Sequence, residues 1–231
     1  MNMKNIFIAC DTSSVSKIKS IIKKTQIKIK GYKIGYKFGL EFFYSLKGRQ
    51  VISRLKNKII FLDLKLNDIG NTCAAAIKSL KDLKNINYLT VHANAGEATL
   101  KSVVRATRKY NKKIRVIAIT VLTSISNANI KKIGHTRSVK DLVRKQTLLA
   151  KACGCHGIVC AGSDIKFVKK IFKKEIIVPG IRLKGDSVGD QKRVSGPKEA
   201  FSNGATSIVV GRSITKNNIR KNIKRLIKEL K

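Results

Sequence analysis

The stretch Phe61-Leu62-Asp63-Leu64-Lys65-Leu66-Asn67-Asp68-Ile69 sets three charged side chains into an otherwise apolar run. Burying a charge is costly unless it is paired, and Phe61, Leu62, Leu64 and Leu66 argue for a buried setting. On a strand Asp63 and Lys65, two residues apart, point to one face. Asp68 falls beyond the strand end, in a loop. Charges gathered at the end of a buried strand mark a place where charge is put to chemical use. The plain alternative is an ion pair at a solvated strand terminus.

Outward from this run, short apolar segments rich in β-formers recur at intervals of roughly 20 to 35 residues. They are Ile6–Asp11, Gly31–Phe38, Ile59–Lys65, Tyr88–Ala93, Arg115–Leu122, Gly157–Ala161, Ile176–Pro179 and Ser207–Gly211. Most are continuous rather than alternating, as in strands covered on both faces. Helical patterns lie between them. Val15, Ile18, Ile21 and Ile22 share a face, as do Leu142, Val143, Leu149 and Ala150. Ile219, Ile223, Leu226, Ile227 and Leu230 make the clearest amphipathic stretch. Eight strand–helix units predict an α/β fold, a (β/α)8 TIM barrel forming a single domain over residues 1–231, with an open doubly wound sheet as the alternative.

A barrel gathers its active site at the C-terminal ends of its strands, so polar residues belong where each apolar run stops. Asp11 closes the first run, Lys37 the second, and Asp63 and Lys65 the third. His92 lies near the end of the fourth, Thr123 after the fifth, Arg182 after the seventh and Arg212 after the eighth. Lys33 and Lys37 have the same parity on one strand; Lys37 is preferred because it lies at the C-terminal end.

Fifty Lys and Arg against thirteen Asp and Glu give a formal charge of +37. Such a field attracts polyanions, including nucleic acid and phosphate-bearing substrates. The basic residues are scattered rather than gathered in a tail, and few aromatics interleave with them as a stacking platform requires. Abundant Lys, Ile and Asn point to a composition biased towards A/T-rich codons. A basic nucleic-acid-binding protein is therefore a minor alternative, and it leaves Asp63, Lys65 and Asp68 unexplained. The start of the chain shows no apolar leader and no run approaches a membrane span, so a cytoplasmic location is expected. Five cysteines, Cys10, Cys73, Cys153, Cys155 and Cys160, read as reduced thiols. Cys153-Gly154-Cys155-His156 lacks a second cluster to complete a tetrahedral metal set.

The pattern Asp-x-Lys-x-x-Asp at 63, 65 and 68 resembles the signature of the orotidine 5′-phosphate decarboxylase family. So do Lys37-Phe38-Gly39-Leu40-Glu41-Phe42-Phe43, Leu122-Thr123-Ser124, Val178-Pro179-Gly180-Ile181-Arg182, Gly189-Asp190-Gln191-Lys192-Arg193-Val194 and Val210-Gly211-Arg212-Ser213-Ile214, in that order. The resemblance implies a carboxy-lyase that converts orotidine 5′-phosphate to UMP and carbon dioxide. This is the last step of de novo pyrimidine nucleotide synthesis, and it uses no metal or organic cofactor. It implies that Lys65 is the proton donor, that Asp63 holds Lys65 and faces the departing carboxylate, and that Lys37 joins the charge network and contacts the ribose. Asp11 then binds ribose hydroxyls and Thr123 the pyrimidine ring. Arg182, Gln191, Gly211 and Arg212 hold the 5′-phosphate, with Gly185 and Gly189 as hinges of the segment Arg182–Arg193. Asp68, Ile69 and Thr72 reach into the neighbouring subunit's site, which makes the active enzyme a homodimer. Gly70 stands where the family usually has proline, which loosens the turn beside Asp68. A related sugar-phosphate decarboxylase or aldolase of the same barrel superfamily, dependent on magnesium, is the enzymatic alternative; Thr123 and Gln191, expected for a nucleotide ligand, count against it.

Overall fold

The computed structural model describes residues 3–187, 189 and 193–230. Eight strands, β1 (Lys4–Ala9), β2 (Tyr32–Gly39), β3 (Ile59–Leu66), β4 (Ile86–His92), β5 (Arg115–Ile119), β6 (Gly157–Val159), β7 (Glu175–Val178) and β8 (Ser207–Val210), form a closed barrel in sequence order. Every pairing is parallel, and β8 returns to β1 with Ile6 opposite Ile208. Closure excludes the open sheet. All eight sequence-predicted runs become strands. The first ends two residues before Asp11, and the fifth ends at Ile119, so Asp11 and Thr123 sit in the loops that leave the barrel.

The continuous apolar runs follow from packing on both sides. One set of side chains, including Ile6, Ile8, Phe38, Leu62, Leu89, Val116 and Ile208, points outward against the helices and is buried there. The predicted helical faces meet it. Ile18, Ile21 and Ile22 are buried in the helix Val15–Thr25, Val143 and Ala150 in Val139–Ala152, and Ile219, Ile223 and Leu226 in Ile219–Leu230.

The alternate set fills the barrel. Phe7, Phe61, Tyr88, Ile117, Ile177 and Val209 form an inner cluster. The rings of Phe7 and Phe61 lie 5.0 Å apart, and those of Phe7 and Tyr88 5.1 Å apart, both edge to face. Phe7 fits because β2 offers Gly35, where a Cβ would come within 2.8 Å of its ring. Gly157 likewise makes room for Ile117.

Below this layer the N-terminal end of the barrel is closed by polar side chains. Glu175 pairs with Arg115 at 3.2 Å and accepts a hydrogen bond from the Tyr88 hydroxyl at 3.2 Å, while Asn5 donates to Ser207 at 3.3 Å. Burial raises the Glu175 carboxyl above the ordinary glutamate range, against the opposing pull of Arg115 and Tyr88. The folded state thus holds this proton more tightly than the unfolded chain. Its contribution to stability is greatest below the ordinary glutamate value and is lost as pH rises through the raised one. Glu175→Gln should therefore gain stability relative to the parent as pH rises from about 4 to about 7. Urea midpoints across that range check this; a constant difference between the two proteins would contradict it.

Candidate active site

The C-terminal mouth of the barrel holds a cavity of about 280 Å³. Asp11, Lys37, Asp63, Lys65, Thr123, Arg182, Gly211 and Arg212, all singled out in the sequence, line it. Apolar walls come from Ala9, Phe61, Ile119, Val159 and Val209. β3 and β7 are four strands apart in a ring of eight, so the lysine-bearing rim and the Arg182 rim face each other across the mouth.

Charges alternate along one side. Lys37 Nζ lies 3.0 Å from Asp11 Oδ1 and 3.3 Å from Asp63 Oδ2, and Lys65 Nζ lies 2.8 Å from the same Asp63 oxygen. Lys37 is nearly fully buried, whereas Lys33, at the other end of β2, is exposed. The lysine at the mouth is therefore Lys37. Burial opposes the charge of both Lys37 and Asp63, yet mutual attraction outweighs it. With Asp63 and Asp11 beside it the Lys37 ammonium is raised above its ordinary value, and with Lys37 and Lys65 beside it the Asp63 carboxyl is lowered.

Lys65 departs from regular strand geometry. Its φ of 51° lies in the left-handed region, uncommon for a residue with a side chain. Between the pairs Leu62↔Leu89 and Leu66↔Val91, β3 advances four residues while β4 advances two. This bulge breaks the ladder where the charged side chains leave the strand. The backbone N–H of Lys65 instead donates to the Thr90 hydroxyl at 2.8 Å, and that hydroxyl donates to Asp63 Oδ1 at 3.1 Å.

Asp68, Ile69 and Thr72 are exposed and do not line the cavity of their own chain. The loop that carries them is held from the neighbouring helix Gly96–Tyr110. Thr99 Oγ1 donates to the Asp68 carbonyl at 3.0 Å, and Ser102 Oγ donates to the Gly70 carbonyl at 2.9 Å. A Cβ at Gly70 would meet Ser102 Cβ at 3.2 Å. The glycine thus admits Ser102, whose hydrogen bond steadies the turn that lacks a proline.

On the opposite rim Arg182 Nε donates to the Ser187 carbonyl at 3.1 Å. Gly189, with a left-handed φ of 64°, lies over the Arg212 guanidinium, where a Cβ would come within 3.1 Å of Nη1. Gln191 lies outside the described residues. Sequence reading missed three contributors. Thr90 is one. The others are Arg193 and Asp164, paired at 2.7 Å, with Arg193 Nη2 also donating to the carbonyls of Val121 and Leu122 at 3.3 and 3.2 Å. The inward parity of Thr90 with Tyr88 on β4 was the signal available for the first.

His92 does not line the cavity, and burial together with Lys65 lowers its imidazole below the ordinary value. His156 Nδ1 accepts the Val116 N–H at 3.0 Å, a structural role. All five cysteines are free and buried. Burial pushes the Cys10 and Cys155 thiols up to about 12, which keeps them protonated and unreactive.

Residues 4–225 match the family described as "Orotidine 5'-phosphate decarboxylase / HUMPS family". An orotidine 5′-phosphate decarboxylase of Fusobacterium nucleatum is 40% identical, with 98% of this chain and 95% of that protein covered. One of Sphingopyxis alaskensis is 39% identical over 92% of each chain. The crystal structure of orotidine 5′-phosphate decarboxylase from Lactobacillus acidophilus superposes with a TM-score of 0.82 at 27% identity, covering 98% of this chain and 99% of that one. With the alternating charges on β2 and β3, the arginines on the facing rim and a match over nearly the whole length, the chain belongs to the orotidine 5′-phosphate decarboxylase / HUMPS family.

Proposed function

We propose that the protein decarboxylates orotidine 5′-phosphate to UMP and carbon dioxide, the last step of de novo pyrimidine nucleotide synthesis. The family covers sugar-phosphate chemistry as well, but relatives at 39–40% identity over at least 92% of the chain bear the nucleotide activity in their names. The observation that carries the reading is the Asp11–Lys37–Asp63–Lys65 array, set across the cavity from Arg182 and Arg212. A ligand with an anionic reacting group at one end and a phosphate at the other fits these two rims. The phosphate end falls on the loops after β7 and β8, where barrels commonly hold phosphate.

The reaction breaks the bond between the ring carbon and the carboxylate. Its electron pair stays on the ring carbon, which then takes a proton. The Lys65 ammonium stabilises that charge and supplies the proton. A cation about 4 Å from the forming carbanion contributes ~4 kcal/mol at an effective dielectric of 20, about a thousandfold in rate. Asp63 fixes Lys65 and faces the leaving carboxylate, and Lys37 and Asp11 take the ribose hydroxyls. Thr123 meets the ring, and Arg182, Gly211, Arg212 and Gln191 take the 5′-phosphate. Arginine suits bidentate phosphate contact, and glycine lets backbone N–H groups approach closely.

The same reading makes the working enzyme a homodimer in which Asp68, Ile69 and Thr72 complete the partner's site. Its support is their exposure, with Ile69 69% exposed, beside the exposed Leu40, Tyr44 and Leu46 that follow the adjacent strand β2. A cytoplasmic location fits a nucleotide-processing enzyme in which no described helix is long and apolar enough to cross a membrane.

Purified protein should consume orotidine 5′-monophosphate, followed by loss of its ultraviolet absorbance, with or without EDTA. Dependence on a divalent cation would favour the sugar-phosphate reading. Lys65→Ala should lower turnover by at least about a thousandfold with an unchanged circular dichroism spectrum; near-normal turnover removes Lys65 from its role. Mixing inactive Lys65→Ala and Asp68→Asn chains should restore about a quarter of the parent activity, because half of the dimers are hybrids and each hybrid holds one intact site. A mixture that stays inactive would place Asp68 in its own chain's site, and an active Asp68→Asn chain would place it in none.

A further inference from the structure

We propose that Thr90 is a positioning residue for the reaction, its hydroxyl setting the backbone of Lys65 and the carboxylate of Asp63 in one fixed relation. The inference rests on the reading of Lys65 as proton donor and deepens it.

Thr90 lies on β4 with no solvent exposure, its side chain directed into the barrel above Tyr88. Both of its hydrogen bonds have a direction fixed by chemistry. A backbone N–H can only donate, so the hydroxyl accepts from Lys65 at 2.8 Å. An ionised carboxylate can only accept, so the hydroxyl's single proton goes to Asp63 Oδ1 at 3.1 Å. One hydroxyl therefore serves as acceptor and donor for the two charged residues at once. No hydrophobic side chain of the same shape reproduces this.

The bulge in β3 creates the need. The ladder to β4 is interrupted between Leu62 and Leu66, and Lys65 sits inside the interruption at a φ of 51°. A lysine in this conformation is strained, and it persists only where its surroundings hold it there. The Thr90 hydroxyl takes the place of the missing ladder acceptor. The Lys65 side chain is otherwise tethered by its tip to Asp63, and 34% of it remains exposed. A turn of about 10° at its Cα, carried along a side chain of about 6 Å, moves the ammonium by about 1 Å, and a misplacement of that size costs about a hundredfold in rate.

Thr90→Val keeps the branched shape and removes the hydroxyl; Thr90→Ser keeps the hydroxyl. In the orotidine 5′-monophosphate assay Thr90→Val should lower kcat about 10- to 100-fold with KM changed less than about threefold, and Thr90→Ser should stay within about threefold of the parent. By carbon-13 NMR the Asp63 carboxyl should titrate at higher pH in Thr90→Val, which loses a donor, and as in the parent in Thr90→Ser. Should Thr90→Val fail to fold, Thr90→Ala replaces it with the same expectations. The proposal is overturned if the variant lacking the hydroxyl keeps kcat within about threefold, if Thr90→Ser falls as far, or if the loss lies in KM. Lys65→Ala run beside them separates the two claims. An inactive Lys65→Ala with a fully active Thr90→Val sinks the role of Thr90 alone. An active Lys65→Ala sinks the proton-donor reading, while the NMR titration still reports whether Thr90 holds Asp63.

Discussion

One buried carboxylate organises this molecule's mouth. A single oxygen of Asp63 lies 2.8 Å from the Lys65 ammonium and 3.3 Å from that of Lys37. Removing such ions from water costs several kcal/mol each, and attraction recovers this only where geometry is good and the remaining lone pairs are satisfied. Asp63 meets both conditions, its second oxygen taking the Thr90 hydroxyl. The lowered Asp63 carboxyl adds stability above the ordinary aspartate value and loses it as pH falls through the lowered one. The raised Lys37 ammonium adds stability below the ordinary lysine value and loses it as pH rises through the raised one. These two groups therefore stay ionised through the neutral range, and the site is ready for an anionic substrate without first moving a proton.

The carboxylates are scarce, and each described one is committed to a contact. Thirteen Asp and Glu, less Asp190 outside the described residues, leave twelve. Asp11 and Asp63 belong to the lysine array, Asp164, Glu175 and Asp186 hold arginines, and Asp82 and Glu97 pair at the surface. Asp141 and Glu199 sit at helix starts, and Glu41, Asp68 and Glu229 accept backbone N–H groups. The excess of lysine and arginine thus falls on a framework whose described acids are all in contact with a partner group. Its residual field is positive, which draws a phosphate-bearing carboxylate towards the mouth.

The barrel was legible because burial on both faces writes itself as continuous apolar runs, and the end of each run located the mouth. Position along the strand, together with the Gly39-Leu40-Glu41 that follows, favoured Lys37 over Lys33. The bulge was not legible, since register is a relation between β3 and β4 that neither segment carries alone. Thr90 was hidden for a related reason. A β-branched residue inside a strand is ordinary, and its hydroxyl gains meaning only once the gap in the opposite ladder is known. Arg193 and Asp164 are 29 residues apart and meet only through the closure of the loops after β6 and β7. The apparent weakness at Gly70 was legible; its remedy, Ser102 on the next helix, was not.

The site is consequently built by two different means. Its reacting charges stand on β2 and β3 or just beyond β1, braced by the barrel wall and by Thr90. The parts that would grip the rest of the ligand stand on longer loops after β5, β7 and β8, where strand geometry gives less support. There the Arg193 guanidinium takes over. It pairs with Asp164 from the loop after β6 and holds the carbonyls of Val121 and Leu122 just before Thr123, while its own backbone lies at the root of the segment from Arg182. The root is itself closed by Ile181 pairing with Ser195 and by Gly162, where a Cβ would strike Ser195 at 2.6 Å. Rigid strands position the chemistry, and a partly buried cation spanning three loops positions the recognition. The two halves meet in a cavity whose apolar floor, Phe61 and Val209, belongs to the same inner layer that fills the barrel.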